Sequence, residues 1–191
     1  MFRQADSNRR DFFRDAVGEW FEKLLESAEE RVVTRQYFRP PGALPEVGFM
    51  AACTRCGECI IACPAHAIMK VPPDGGFAAG TPYIDPGYQP CVVCPDMPCA
   101  RVCPTDALTV PDQGWQGYRL GRLELLPERC ITFHGSACGA CARACPVGEA
   151  ALVMDEAGNP VIRAEGCVGC GVCVRACVTA PSSLILRNVE R

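Results

Sequence analysis

The chain contains few lysine, histidine and aromatic residues. Its 191 residues include two lysines, two histidines and 7% aromatic residues. No basic stripe with interleaved aromatic residues is present, which argues against nucleic-acid binding. No run of about 18 apolar residues occurs, so the sequence predicts no transmembrane helix. No nucleophile–base pair, phosphate-binding loop or isolated pair of carboxylates stands out, and we therefore expect no catalytic site in this chain.

Cysteine is the residue in excess, with 16 copies. A cysteine share above about 8% is typical of a disulfide scaffold or a metal protein. A disulfide scaffold needs a secreted chain, and we find no secretory signal. Structural zinc sites use two separated cysteine pairs, whereas these cysteines stand in tight runs of three or four. The composition and the spacing together favour iron–sulfur chemistry.

The clearest run begins at Cys53 and reads CTRCGECIIACP. Its C-x2-C-x2-C-x3-C-P spacing is the one with which bacterial ferredoxins hold [4Fe–4S] clusters. Three cysteines two residues apart can wrap a tight loop around one cubane, so that each thiolate meets a different iron. The fourth, Cys63, is expected to ligate a neighbouring cluster, and the run therefore implies a partner run elsewhere in the chain.

Three similar runs follow at intervals of 37 to 39 residues, so the body of the chain is a fourfold repeat. The four runs contain Cys53, Cys56, Cys59 and Cys63; Cys91, Cys94, Cys99 and Cys103; Cys130, Cys138, Cys141 and Cys145; and Cys167, Cys170, Cys173 and Cys177. Four complete sets of four ligands predict four [4Fe–4S] clusters with every cysteine bound to iron. His66 and His134 are weaker candidates, because no set lacks a cysteine.

Short apolar runs flank the cysteine runs and are typical of strands that pair into hairpins. They lie at 67–69, 107–110, 151–154 and 184–186 after the four motifs, and at 83–84, 123–126 and 161–162 before the last three. We predict an α+β fold of two bacterial dicluster ferredoxin-like modules, together a polyferredoxin. Four glycines are expected to permit the close backbone approach and unusual dihedral angles that N–H···S contacts need, or to serve simply as turn residues, and these are Gly57, Gly139, Gly169 and Gly171.

The segment before the cysteines has a different character. Residues 9–33 carry apolar side chains at helical spacing, and we predict an amphipathic helix that packs on this chain or on a partner subunit. Arg9 and Arg10 resemble a twin-arginine export signal, but charged residues follow where that signal needs an apolar segment. We therefore expect a cytoplasmic protein, with periplasmic location by co-export with a signal-bearing partner as the alternative. The predicted domains are 1–38 and 39–191.

The spacing leaves open which runs share clusters. In a tandem arrangement the first run exchanges its last cysteine with the second, and the third with the fourth. In a nested arrangement the first run pairs with the fourth, and the second with the third. The two inner runs both carry insertions, before Cys99 and before Cys138. Pairing like with like slightly favours the nested arrangement.

Several motifs are shared with a known family. RPPGA at 39–43, AACTRCG at 51–57, CVVCPDMPCA at 91–100 and CVTAP at 177–181 resemble the NapG/MauM ferredoxin-type proteins over roughly residues 39–187. Those proteins belong to the four-cluster electron-transfer subunits of molybdopterin oxidoreductases, and the resemblance implies nesting, with module 51–80 plus 160–191 around module 81–159. The implied ligand sets are Cys53, Cys56, Cys59 with Cys177; Cys91, Cys94, Cys99 with Cys145; Cys130, Cys138, Cys141 with Cys103; and Cys167, Cys170, Cys173 with Cys63.

The function that these features favour is a one-electron relay. Its expected partners are the catalytic subunit of a redox enzyme, of the molybdenum- or tungsten-pterin type, and an electron donor or acceptor protein. A redox sensor or an assembly factor for an oxidoreductase is the alternative, and it predicts incomplete or exposed ligand sets. An enzyme that reduces a small substrate at a cluster would need an iron without a cysteine, and no cysteine is missing.

Overall fold

The computed structural model of the protein describes residues 37–189, which lie within one compact unit. The helix predicted over residues 9–33 falls outside the described part of the chain. Among residues 37–189, no helix is long and apolar enough to cross a membrane.

The helices are short, and most of them hold the third cysteine of a run. They are α1 (Glu46–Ala52), α2 (Glu58–Ile61), α3 (Pro98–Arg101), α4 (Ala140–Ala144) and α5 (Val172–Ala176). Single 3-10 turns lie at Pro73–Ala78, Gly114–Gly117, Pro127–Arg129, Ile131–His134 and Gly148–Ala150. Each helix from α2 to α5 contains a cysteine, so the turn that follows the cysteine loop fixes the direction of that thiol.

Glycines in left-handed conformation precede three of these helices. Gly57, Gly139 and Gly171 stand directly before α2, α4 and α5, with φ angles of 89°, 108° and 86°. Gly169 also has a positive φ, of 67°. The unusual dihedral angles predicted for these four glycines are therefore observed. Glycine suits these positions because a residue without a Cβ enters the left-handed region at no steric cost.

Six strands form three two-stranded antiparallel sheets. They are β1 (Ile68–Lys70), β2 (Pro82–Ile84), β3 (Gly121–Leu125), β4 (Leu152–Met154), β5 (Pro160–Ile162) and β6 (Leu184–Asn188). β1 pairs with β2, β4 with β5, and β3 with β6. Six of the seven predicted runs contribute to a strand. The exception is 107–110, where Leu108 forms only an isolated bridge to Ala43.

The strand pairing differs from the interleaved modules that the resemblance implies. β1, within 51–80, pairs with β2, which lies in the segment 81–159. β6, within 160–191, pairs with β3 rather than with the first module. A local hairpin such as β1–β2 closes a short loop at little entropic cost, whereas nesting would have to close a much longer one. The first two cysteine runs therefore share one hairpin, and the last two share the β3–β6 pair around β4–β5.

Two groups of buried side chains form the core, and both include cysteines. The first group contains residues between Ala43 and Leu120, among them Phe49 and Met97. It also contains Val168 and Cys170 of the last run. The second group contains Leu123, Leu152, Leu184 and Cys173. Thiols thus occupy positions that aliphatic side chains fill in an ordinary core.

Arg39 anchors the start of the described chain to this body. Its side chain is 4% exposed. Its Nη1 donates to Thr81 Oγ1 at 2.8 Å and to the Pro82 carbonyl at 2.9 Å, and its Nε donates to Glu46 Oε2 at 2.9 Å. The guanidinium carbon lies 4.7 Å from the centre of the Phe49 ring. One arginine therefore connects α1 to β2.

Candidate iron–sulfur centres

Each of four cavities is lined by four cysteines. Cavity 1 holds Cys53, Cys56, Cys59 and Cys103; cavity 2 holds Cys63, Cys91, Cys94 and Cys99; cavity 3 holds Cys145, Cys167, Cys170 and Cys173; cavity 4 holds Cys130, Cys138, Cys141 and Cys177. All sixteen predicted ligands are thereby brought together in fours. In every cavity, three thiols come from one run and the fourth is the last cysteine of a neighbouring run.

This grouping of the cavity-lining cysteines is tandem, and it differs from the nested sets that the resemblance implies. Cys103 lines cavity 1, where nesting requires Cys177. Cys63 lines cavity 2, where nesting requires Cys145. The physical reason lies in the hairpins, because β1–β2 turns the second run back onto the first. The β3–β6 pair does the same for the third and fourth runs.

The cavities suit a cluster better than a single ion. The space among the lining side chains, including the part open to solvent, is about 380, 330, 340 and 310 Å³ in the order 1 to 4. Among residues 37–189, no three histidine, cysteine, aspartate or glutamate side chains converge closely enough to hold one metal ion. Zinc needs four ligand atoms within about 2.3 Å of one centre, whereas a cubane spreads its thiolates around a larger body. The sixteen cysteines form no disulfide.

The buried thiols strongly resist ionisation without a bound cation. Burial raises the pKa of Cys59 to about 11, and the neighbouring Cys53 adds to the rise. Burial likewise raises the pKa of Cys91 and of Cys99 to about 12, and that of Cys170 to about 11. Thiolates must form for iron to bind, so positive charge at these positions has to offset the cost of burial.

Two thiols, those of Cys177 and Cys103, have a pKa below the ordinary value of a cysteine. Burial alone would raise the pKa of Cys177, but hydrogen bonds from Ser183 and Thr179 outweigh it and lower the pKa to about 6. At Cys103 burial is likewise outweighed, by hydrogen bonds from Thr105 and nearby backbone amides, and the pKa lies below its ordinary value. Both are last cysteines of a run, and they line cavities 1 and 4.

The cavities follow one another in a series. Burial raises the pKa of Cys99 in cavity 2, and the nearby Cys59 of cavity 1 adds to the rise. Burial also raises the pKa of Cys91 in cavity 2, and Cys170 of cavity 3 adds to it. These four thiols belong to one buried group, and Cys141 of cavity 4 packs against the second group, which contains Cys173 of cavity 3. Thiols of neighbouring cavities therefore lie close together in the order 1, 2, 3, 4.

The two histidines lie outside the cavities. His66 is exposed, and His134 is exposed with its Nε2 3.1 Å from the Glu128 carbonyl. Neither lines any of the four cavities. The sequence analysis did not identify the hydroxyl groups of Thr105, Thr179 and Ser183 as hydrogen-bond partners of the cysteines. The signal for the two threonines is their position two residues after the last cysteine of a run.

Comparison with known proteins gives the same division of the chain. One 4Fe-4S dicluster domain matches residues 52–107, and a second matches residues 122–178. Each domain contains two runs in tandem, as the hairpins do. Two dicluster domains account for two clusters each, four in total.

The chain is also similar to whole proteins. It is 37% identical over 142 residues to the ferredoxin-type protein NapG of Escherichia coli, a match that covers 69% of this chain and 62% of that protein. It is 37% identical over 154 residues to the methylamine utilization ferredoxin-type protein MauM of Methylophilus methylotrophus, covering 76% and 67%. A polyferredoxin-like subunit of aliphatic sulfonate oxidoreductase from Pyrococcus furiosus is 45% identical over 56 residues, covering 29% and 26%.

The matched part thus spans less than two thirds of the NapG protein and about two thirds of MauM. The likeness runs through both dicluster domains, where all sixteen cysteines lie. The chain therefore belongs to the family of NapG and MauM ferredoxin-type proteins, and it carries four [4Fe–4S] clusters in two dicluster domains.

Proposed function

We propose that this chain is the relay subunit of a larger redox enzyme and passes single electrons between a donor and the catalytic subunit. The observation that supports the proposal best is the serial order of the four cysteine-lined cavities, whose thiols pack together in the two buried groups. A relay needs neighbouring sites in contact and two end sites that partners can reach. A sensor or assembly factor has no need of four complete sites in series.

We further propose that the tandem sets are the ligand sets. Bound there, [4Fe–4S] clusters supply reversible one-electron oxidation and reduction. The chain's own residues hold the clusters and exclude water. Phe49 and Leu108 line cavity 1, Met97 and Ile84 line cavity 2, and Leu152 lines cavity 3. Each last cysteine ties one run to the cavity of its neighbour, which keeps adjacent clusters at a fixed separation.

The two end cavities are the proposed points of contact with partners. At cavity 1, Cys56 is exposed, and the side chain of Phe77 is 76% exposed. Arg55 lines this cavity and donates to the Phe77 backbone carbonyl at 3.0 Å, so it links the cysteine loop to the segment that carries the exposed Phe77. At cavity 4, Val178 lines the site and is 61% exposed. Exposed apolar side chains of this kind suit brief contacts with redox partners.

The finer identity of the partners extends this proposal. The polyferredoxin-like subunit of an oxidoreductase supports a redox enzyme as the partner. A catalytic subunit of the molybdenum- or tungsten-pterin type is what the family resemblance implies. The segment 1–38 is the proposed means of assembly, through the helix predicted there.

Metal analysis of the full chain, purified without air, tests the relay. We expect about 16 iron atoms per chain, four for each of four clusters, and complete reversible reduction by a one-electron donor. The isolated chain should not turn over a substrate.

Copurification from the native cell should recover a catalytic subunit, and deletion of residues 1–35 should weaken that complex while keeping the iron. A colourless protein that holds zinc would overturn the proposal.

A further inference from the structure

The position two residues after the last cysteine of each run separates the outer cavities from the inner ones. Cys103 and Cys177, which line cavities 1 and 4, are followed at this position by Thr105 and Thr179. Cys63 and Cys145, which line the inner cavities, are followed there by Ala65 and Val147, as the printed sequence shows. Only the outer cavities therefore have a hydroxyl group at this place.

These hydroxyl groups reach the sulfur atoms to different extents. Thr179 Oγ1 lies 3.2 Å from Cys177 Sγ, whereas Thr105 Oγ1 lies 3.8 Å from Cys103 Sγ. A cysteine bound to iron has lost its proton, so the hydroxyl group must be the donor in such a contact. The hydrogen bond at Cys177 is accordingly the stronger of the two.

Cavity 4 has two more donors of the same kind. Ser183 Oγ lies 3.3 Å from Cys177 Sγ, and the Ser183 side chain is 2% exposed. Thr132 Oγ1 lies 3.2 Å from Cys130 Sγ. Two of the four thiols of this cavity thus receive hydroxyl hydrogen bonds. At the corresponding thiol of cavity 2, Cys63 receives a backbone N–H from Ala67 at 3.3 Å instead.

Reduction of a cluster adds one negative charge to the iron, the sulfide and the four thiolates. Hydrogen bonds to the ligand sulfurs stabilise this charge and raise the reduction potential, whereas burial without them lowers it. The inner cavities are the more buried ones: Cys63, Cys91 and Cys99 are buried in cavity 2, and Cys170 and Cys173 in cavity 3. Cavity 4 has one buried thiol, Cys130.

We propose that the hydroxyl groups of Thr179, Ser183 and Thr132 raise the reduction potential of the cluster in cavity 4 above those of the other three, so that electrons collect at that end. The inference rests on the proposed relay and gives it a direction. A one-electron donor delivers to cavity 1, the inner cavities pass the electron on, and an oxidising partner at cavity 4 removes it. Each step moves one electron and forms no new bond.

The test is a redox titration of the full, anaerobically loaded chain, followed by electron paramagnetic resonance. In Thr179→Val the hydroxyl group is lost while the branched shape stays. We expect the highest of the four midpoints to fall, so that the ratio of reduced to oxidised cluster at a fixed potential drops about tenfold, or about 59 mV for one electron. Ser183→Ala should move the same midpoint in the same direction. The other three midpoints should not change.

Three further variants serve as controls. Thr179→Ser keeps the hydroxyl group and should retain the original midpoint, which separates the hydrogen bond from packing. Thr109→Val changes an exposed threonine that lines no cavity and should change nothing. Val147→Thr should raise an inner midpoint by adding a donor beside Cys145. Iron content is measured for each variant, so that a lost cluster is not read as a shifted one.

Two results overturn the inference. The first is a highest midpoint that stays in place in both Thr179→Val and Ser183→Ala at full iron content. The second is a shift in Thr179→Val that Thr179→Ser shares. An unmodified chain whose clusters cannot be reduced reversibly would instead overturn the proposed relay, because that result concerns all four sites.

Discussion

Gly169 lies so close to Gly121 that a Cβ atom at position 169 would stand 2.0 Å from the Gly121 carbonyl oxygen. The adjacent residues are joined as well, because the Leu120 N–H donates to the Val168 carbonyl at 2.8 Å. Gly169 belongs to the cysteine loop of cavity 3, and Gly121 begins β3. The loop of the fourth run therefore closes directly on the strand that precedes the third run.

Gly169→Ala should prevent this closure. The new methyl group would collide with the backbone, which cannot move aside as a flexible side chain would, and φ at this position is already +67°. We expect loss of the cluster in cavity 3, so that iron falls from about 16 to about 12 atoms per chain. Iron analysis and visible absorbance measure the change.

Gly158→Ala is the matched control for this variant. Gly158 has a similar φ of +79°, but no atom lies within 4 Å of its added Cβ. We expect full iron content and only the cost of about 1 kcal/mol for the left-handed conformation. Equal iron content in the two variants would contradict the packing argument at Gly169.

Two double variants test the tandem ligand sets against nesting. Cys53→Ser with Cys103→Ser removes two ligands of one cavity, so we expect one lost cluster and about 12 iron atoms. Cys53→Ser with Cys177→Ser removes one ligand from each of two cavities, so we expect about 8 iron atoms. Nesting predicts the reverse order. Metal analysis of the two proteins, purified without air, decides between them.

Arg39→Met should destabilise the part of the fold where Arg39 connects α1 to β2. The variant leaves Thr81 Oγ1 and the Pro82 carbonyl, both buried, without their donor, and it removes the ion pair with Glu46. Thr81 Oγ1 keeps its hydrogen bond to the Ala78 carbonyl, so the Pro82 carbonyl is the main buried group that loses a partner. An unsatisfied buried group costs about 1–3 kcal/mol, and we expect a loss of that size. The midpoint of anaerobic thermal unfolding should fall accordingly.

Arg187→Met is the control for this effect. Arg187 also forms an ion pair, with Glu124 at 3.1 Å, but both side chains are largely exposed. Exposed pairs contribute about 0–1 kcal/mol, so the unfolding midpoint should change little. If the two arginine variants unfold at the same temperature, the buried hydrogen bonds of Arg39 do not contribute as argued.

The amino-acid sequence by itself determined the chemistry. The number of clusters and the local loops follow from the spacing of the runs beginning at Cys53, Cys91, Cys130 and Cys167. A tight loop around a cubane depends on only a few neighbouring residues, and so do the left-handed glycines and the short strands. The segment 107–110 is the exception, because its apolar pattern did not settle whether it would find a strand partner.

Only the tertiary structure decided which runs share a cavity. The last cysteine of each run leaves its own loop, and its destination depends on which hairpins close, a choice that the spacing left open. Cys103 meets Cys53 because β1 and β2 pair. The same folding sets Ser183 against Cys177, six residues away, in a contact that the spacing did not predict. The local conformation of each cysteine loop depends on residues close together in the sequence, whereas contacts between runs depend on the free energy of the whole fold.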